Sequence, residues 1–250
     1  MISLKAIPKP TELTDKVAQE LTARYKQDGS AVWKQKYITE ALSKMSNDKC
    51  CYCECKITEE SKYLEVEHFH PKSLYPDEVV AWENLLPSCK RCNGKKGDHD
   101  TKEEPIIHPI RNNPKLHLTW KNYRLYLKTK LGNVTIDVIS LNDRKRLVNK
   151  RFEIGVRLCD ELENLLELTI DYDNRTNFST KRRNRIVGQL TNLMTEGTRQ
   201  SEFSATAATV ILHENSYSKI KQLFIKNNLW NDEFIELEKE VEFCALDISQ

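Results

Sequence analysis

Two pairs of cysteines, Cys50-x2-Cys53 and Cys89-x2-Cys92, have the count and spacing of a closed tetrahedral thiolate site for structural zinc. Cys51 and Cys55 complicate the register, because Cys51-x3-Cys55 is a second way to pair the first knuckle. The tighter x2 spacing favours Cys50 and Cys53, which leaves Cys51 and Cys55 as small packing residues. Between and beyond the knuckles lie Glu65-Val66-Glu67-His68-Phe69-His70-Pro71, then Trp82-Glu83-Asn84-Leu85-Leu86, then Cys92-Asn93-Gly94-Lys95-Lys96-Gly97. A carboxylate beside a histidine, two asparagines and a lysine-glycine run offer a base, metal ligands and phosphate contacts. A scaffold alone would not need them.

The run from Cys50 to Gly97 resembles the HNH endonucleases, the ββα-metal fold, in their zinc-knuckle form. That family combines a CxxC, an acid-His-hydrophobic-x-Pro, an Asn-Leu, and a second CxxC leading into Asn-x-x-Lys. Here these are Cys50 and Cys53, Glu67 to Pro71, Asn84-Leu85, and Cys89 to Lys96. The resemblance implies that His68 is the general base activating water against a phosphodiester. It implies that Glu67 and Asn93 hold one divalent ion, Mg²⁺ or Mn²⁺, and that Asn84 orients the loop that fixes the imidazole. The implied products carry 5′-phosphate and 3′-hydroxyl ends. Two residues depart from the commoner pattern: Glu67 stands in place of aspartate, and Asn93 where some members have a histidine. Both changes point to a low metal affinity.

Strand geometry adds a constraint. Adjacent residues of a strand point to opposite faces, so Glu67 and His68 reach one metal only where the strand ends or bulges. Pro71 places such an end nearby. His70 shares the face of His68 and reads as a surface histidine that could contact phosphate or serve as a ligand. Ser88 reads as the N-cap of a short helix on which Cys92 and Asn93 lie ~100° apart, one toward zinc and one toward the catalytic ion. His99, His108, His117 and His213 have no identifiable partner and read as solvated or structural.

The nucleic-acid contacts expected around this core are Lys90, Arg91, Lys95 and Lys96, with Lys121, Arg124, Lys128 and Lys130 from a basic stretch that also carries Trp120, Tyr123 and Tyr126. Lys181, Arg182, Arg183 and Arg185 form a second cluster. Each stretch is equally readable as a solvated face.

The elements that must position these residues are mostly helical. Leu13, Val17 and Leu21 predict one helix and the stripe from Trp33 to Met45 a second, with a break at Asp28-Gly29-Ser30. Tyr123 to Ile139 alternates with period two around Gly132-Asn133, which predicts a β-hairpin. From Asn142 or Asp143, a capped helix would bury Leu147, Val148, Phe152, Val156, Cys159, Leu162 and Leu166. Further helices are expected through Ile186 to Leu193, Ala205 to Leu212, and Ser216 to Trp230 and beyond. The expected class is α+β, mostly α: a central ββα-metal core at 49–100, a helical N-terminal arm at 1–48, and a hairpin with a helical extension at 101–250 for docking a partner or nucleic acid.

The 39 Lys+Arg against 37 Asp+Glu leave a net charge of +2, which excludes a histone-like polycation and requires any nucleic-acid affinity to come from local patches. No apolar run approaches the ~20 residues of a membrane span, so a cytoplasmic location is expected. The Pro8-x-Pro10 opening, the Trp33 segment, the Cys-Cys-Tyr-Cys-Glu knuckle and the helical C-terminal half are also similar to the PtuB-like HNH subunits of Septu and retron-associated antiphage systems. That narrower resemblance implies an ABC-type ATPase partner, PtuA-like, and a DNA substrate. The alternatives are a stand-alone restriction or homing nuclease, an RNA-cleaving effector, and a non-catalytic zinc module that binds nucleic acid.

Overall fold

In the computed structural model, which describes residues 1–57 and 63–248, the chain is predominantly helical, with two small two-stranded sheets. It divides into two compact units: residues 1–118 with 125–142, and residues 119–124 with 143 onward. Among the described residues no helix is long and apolar enough to cross a membrane.

The first unit begins with α1 (Asp15–Asp28) and α2 (Lys36–Ser46). Thr14 caps α1 by accepting the Val17 amide at 3.2 Å, and Gly29 ends it at φ 70°, a left-handed conformation that glycine adopts without a Cβ clash. Trp33 lies in the turn before α2 rather than on the helix. On α2, Ile38, Leu42 and Met45 form the buried stripe, and they share a core with Leu13, Val66, Val79, Trp82 and Leu85. Strand β1 (Leu64–His68) runs antiparallel to β2 (Leu85–Cys89), with Glu67 opposite Leu86 and His68 opposite Leu85. The chain passes directly from β2 into α3 (Lys90–Lys96). Helices α2 and α3 both pack on the two strands.

The sheet of β3 (Leu118–Lys121) and β4 (Arg124–Leu127) turns through Asn122 and Tyr123, both left-handed at φ 49° and 62°. Only β4 falls within the hairpin expected at 123–139. The next element is not a strand but α4 (Lys130–Ile139), capped by Thr129, whose hydroxyl accepts the Gly132 amide at 3.3 Å. The valines and isoleucines of this segment mimic period two, but the buried positions are Gly132, Thr135 and Ile139, a helical spacing. Gly132 is required there, since a Cβ would sit 2.0 Å from the His117 carbonyl oxygen. Residues 101–118 and α4, grouped by sequence with the C-terminal extension, lie in the first unit.

The second unit packs α6 (Thr180–Glu196), α7 (Ser204–His213) and α8 (Asn215–Lys226) against the long α5 (Asn149–Asp173), and α9 (Asp232–Cys244) against α6 and α7. Asp143 caps a wide π-type turn, Arg144–Val148, ahead of α5. The turn shifts the phase of the helix. Its buried face is therefore Arg151, Gly155, Leu158, Leu162 and Leu165, while Phe152 and Val156, expected in the core, are exposed. The helix expected through Trp230 stops at Lys226, and Asn231 caps α9 by accepting the Phe234 amide.

Candidate active site and metal centre

The first knuckle is a tight turn. The Cys50 amide donates to the Cys55 carbonyl at 2.9 Å, the Glu54 amide donates to the Cys50 carbonyl at 3.0 Å, and Glu54 is left-handed at φ 67°. The Cys51 amide, donating to the Pro87 carbonyl at 2.9 Å, ties the turn to β2. The second knuckle straddles a strand-to-helix junction. Cys89 rather than Ser88 is the N-cap of α3, its sulfur accepting the Cys92 amide at 3.4 Å, while Ser88 is buried in β2 with Oγ 3.7 Å from Cys50 Sγ.

The sulfurs of Cys50, Cys53, Cys89 and Cys92 all lie within 4.8 Å of one another. Cys53 and Cys89 are 3.8 Å apart. A tetrahedron with ~2.3 Å Zn–S bonds has edges of about 3.8 Å, so the set fits a zinc ion. Burial opposes ionisation of Cys50, but hydrogen bonds from Cys51, Cys53, Cys89 and Cys92 pull its thiol well below the ordinary range. Arg91 adds positive charge, with a guanidinium nitrogen 3.1 Å from Cys92 Sγ and another donating to the Ser140 carbonyl at 3.3 Å. The sequence assigns Arg91 to nucleic acid, whereas in the structure its head group serves the sulfur cluster. Cys51 is buried outside the set, and Cys55 lies beside it with Sγ 3.4 Å from Cys53 Sγ.

His68 is the last residue of β1 and is buried. Its ring stands edge-on to Trp33 at 4.9 Å, and Lys72 lies over the same Trp33 ring at 5.0 Å. Its Nε2 is 2.9 Å from the Val79 carbonyl oxygen. A carbonyl only accepts, so Nε2 carries the proton and Nδ1 keeps the lone pair. Burial, reinforced by Lys72, lowers this histidine to about 4, which keeps it neutral near pH 7.

Asn84, buried at the end of the 3-10 turn Trp82–Asn84, holds the loop that supplies Val79. Its Oδ1 accepts the His70 amide at 2.7 Å, and its Nδ2 donates to the carbonyls of His70 and Glu78, both at 3.1 Å. Its own carbonyl accepts the Phe69 amide at 2.9 Å. His70 is half-buried. Its Nδ1 donates to the Thr101 hydroxyl at 2.7 Å, since that hydroxyl's proton goes to the Phe69 carbonyl at 2.8 Å. His70 therefore presents its Nε2 lone pair.

Glu67 points away from His68, as strand alternation requires. Its carboxylate faces α3, where Lys96 Nζ lies 2.7 Å from Oε1, and both side chains are 1% exposed. The contact is a charge pairing rather than an aligned hydrogen bond: Oε1 has no directed donor among the described residues, and neither does the buried Tyr52 hydroxyl. Burial pushes Glu67 up to about 7, against the pull of Lys96. Asn93, three residues before Lys96 on α3, is half-exposed. A carboxylate and an amide oxygen are each donors that suit a hard divalent cation; Glu67 carries the first, paired with Lys96, and Asn93 the second.

The lysine-glycine run predicts a nucleic-acid contact at Lys96, but burial and an ion pair remove this side chain from the surface. Lys90, Lys95, Lys121, Lys128 and Lys130 are exposed and Arg124 is half-exposed. Lys121 and Arg124 lie in the second unit, Lys128 and Lys130 in the first. The four remaining histidines all have partners: His99 with the Glu104 carbonyl, His108 with the amides of Ile110 and Arg111, His117 with the Thr129 hydroxyl, and His213 with the Thr209 carbonyl. Sequence reasoning missed Lys72, Trp33 and Thr101 as neighbours of the histidines. Lys72 follows the Glu-His-Phe-His-Pro run directly and was findable, whereas nothing local marks Thr101.

The HNH endonuclease family model matches residues 50–99. Over 242 residues, 97% of this chain and 94% of the relative, the sequence is 45% identical to Septu protein PtuB of Bacillus thuringiensis. A Septu protein PtuB of Bacillus mycoides strain KBAB4 is 30% identical over 156 residues, 49% of this chain and 52% of that one. Septu protein PtuA of the same strain is 26% identical over 149 residues, which is 47% of this chain and 20% of that one. No solved structure matches.

Proposed function

The chain belongs to the PtuB family of Septu proteins and is an HNH endonuclease, and on that basis we propose that it is the DNA-cleaving effector of an antiphage defence complex. His68 is the general base, Asn84 positions it, and Glu67 and Asn93 hold a Mg²⁺ or Mn²⁺ ion. Cys50, Cys53, Cys89 and Cys92 hold structural zinc. The observation that carries this reading is the 2.9 Å contact of His68 Nε2 with the Val79 carbonyl, which leaves Nδ1 as a proton acceptor on a neutral ring. A water attacking the phosphorus gives its proton to that nitrogen, and the imidazolium formed is stabilised by the carbonyl dipole. The scissile P–O3′ bond then breaks, the departing 3′ oxygen takes a proton from solvent water and the imidazolium returns its own to solvent, which leaves 5′-phosphate and 3′-hydroxyl ends. A divalent ion at Glu67 and Asn93 would supply charge stabilisation to the developing phosphorane and the departing oxygen, with the scissile phosphate placed across the end of β1, where the side chains of Glu67 and His68 diverge.

An ABC-type ATPase, PtuA-like, is the proposed partner. The match to PtuA covers a fifth of that longer chain, so one protein of that name carries a segment related to this one. The helical second unit exceeds what the nuclease core requires and is the proposed docking region. The test is to incubate the purified protein, with and without the neighbouring ATPase, with labelled duplex DNA, single strands and RNA in Mg²⁺ or Mn²⁺. Cleavage of DNA that responds to the ATPase supports the reading. Cleavage confined to RNA overturns the substrate assignment, and failure of the two proteins to co-elute at micromolar concentration overturns the partner.

A further inference from the structure

We propose that Lys96 is a positioning residue of the nuclease, fixing both Glu67 and the end of β1 to α3, and that it makes no contact with nucleic acid. This rests on the reading that Glu67 holds the catalytic ion.

An ammonium has three donors and no acceptor. Lys96 Nζ lies 2.7 Å from Glu67 Oε1 and donates to the His68 carbonyl oxygen, also at 2.7 Å. One cation thus binds the side chain of one strand residue and the backbone of the next. These are the two residues whose side chains diverge to opposite faces, and Lys96 is what couples them. A regular strand end has no such link, since its last carbonyl is free to turn toward water.

The anchor of this cation is a helix that begins at the sulfur cluster. Lys96 is the last residue of α3, four after Cys92 in the sulfur cluster and three after Asn93. Residues at these separations share a helix face. Just beyond Lys96, the Gly97 amide closes on the Asn93 carbonyl at 2.9 Å, with Gly97 at φ 51°. The chain from zinc knuckle to Glu67 therefore runs through a single short helix. A side chain 1% exposed cannot reach a phosphate without breaking the pair, and a buried charge that loses its partner is strongly disfavoured. The lysines suited to phosphate contact on this helix are the exposed Lys90 and Lys95.

The test begins with the wild-type protein. Treat it with an amine-acetylating reagent, with and without a mixed-sequence duplex, and map modification by mass spectrometry. Lys90 and Lys95 should react, and Lys96 should stay unmodified in both samples. Lys96 that reacts when free and is protected by DNA would overturn the proposal.

In the Lys96→Met variant, zinc content should be unchanged, Mn²⁺ affinity should fall at least tenfold, and cleavage at saturating DNA should fall about a hundredfold. Its DNA affinity and the salt dependence of binding should match wild type. Weakened DNA binding with a flatter salt slope and intact Mn²⁺ affinity would overturn the proposal. If Lys96→Met does not fold, Lys96→Met combined with Glu67→Gln removes both charges together. A restored melting temperature in that double variant supports the pairing, and an unrestored one contradicts it. Full cleavage by Glu67→Gln alone would instead sink the metal reading on which the proposal stands.

Discussion

Asn84 grips His70 from both sides, its Oδ1 accepting the His70 amide at 2.7 Å and its Nδ2 donating to the His70 carbonyl at 3.1 Å. The same amide reaches the Glu78 carbonyl, one residue before the Val79 carbonyl that holds the His68 ring. Asn84 thus holds the loop that carries the Val79 carbonyl without touching the imidazole. Asn84→Ala should remove three part-buried hydrogen bonds at ~1 kcal/mol each, a loss of about 2–3 kcal/mol in stability. It should also lower the cleavage rate at saturating substrate more than it weakens substrate binding. Asn84→Asp should be worse on both counts, because a carboxylate would face two carbonyl oxygens. Denaturant melts and steady-state kinetics on the two variants check this.

Zinc at the four cysteines should be inseparable from folding. Structural zinc contributes on the order of 10 kcal/mol, comparable to the whole stability of a domain. Cys89→Ser should lose the metal while its hydroxyl still caps α3, and the β1, β2, α3 core should melt for want of zinc. Elemental analysis with calorimetry is the check, and a Cys89→Ser protein that keeps both zinc and its melting temperature would remove Cys89 from the site.

Acidity should compete with the catalytic ion. Glu67 is raised to about 7 by burial, so below that pH it holds a proton that a metal must displace. At low Mn²⁺, cleavage should rise with pH through about 7. Tenfold more Mn²⁺ should move this rising limb down by about one pH unit, as expected for one proton exchanged per ion. His68, lowered to about 4 by burial and Lys72, is already neutral across this window and adds no limb. Rate profiles at two Mn²⁺ concentrations decide it, since a limb that ignores the metal contradicts the assignment of Glu67.

The residues 118–130 offer exposed charge near a turn. If Lys121, Arg124, Lys128 and Lys130 hold phosphates, neutralising them should weaken binding to all sequences alike. The salt dependence should flatten by roughly 0.9 in logarithmic slope for each phosphate no longer neutralised. Filter binding across a salt series measures this slope, and an unchanged slope removes the segment from the substrate path.

The knuckles and the opposed faces of Glu67 and His68 were legible in the sequence because each depends on local spacing. Cys-x2-Cys fixes a turn, and strand alternation fixes a direction. Other features depend on what lies across the fold. The side chain of Lys96 looked like a phosphate contact in a lysine-glycine run, yet it is turned inward by a carboxylate almost thirty positions earlier. Segment 130–139 carries β-branched residues in alternation, but the Thr129 cap and the His117 carbonyl pressed against Gly132 select a helix. On α5, the wide turn at Arg144–Val148 moved the buried face by a residue and left Phe152 exposed. A cap or a period can be read along the chain, whereas a partner supplied by distant residues cannot.

The most direct measurement is single-turnover cleavage by the His68→Gln variant. Glutamine can keep a donor on the Val79 carbonyl but has no ring nitrogen to take a proton from water. Zinc content should match wild type, and melting should fall only modestly for a side chain packed against Trp33. The cleavage rate should drop by a general-base factor of ~10²–10⁴. Cleavage at the wild-type rate would show that His68 is not the base, and His70, whose Nε2 is also presented as an acceptor, would be the residue to test in its place.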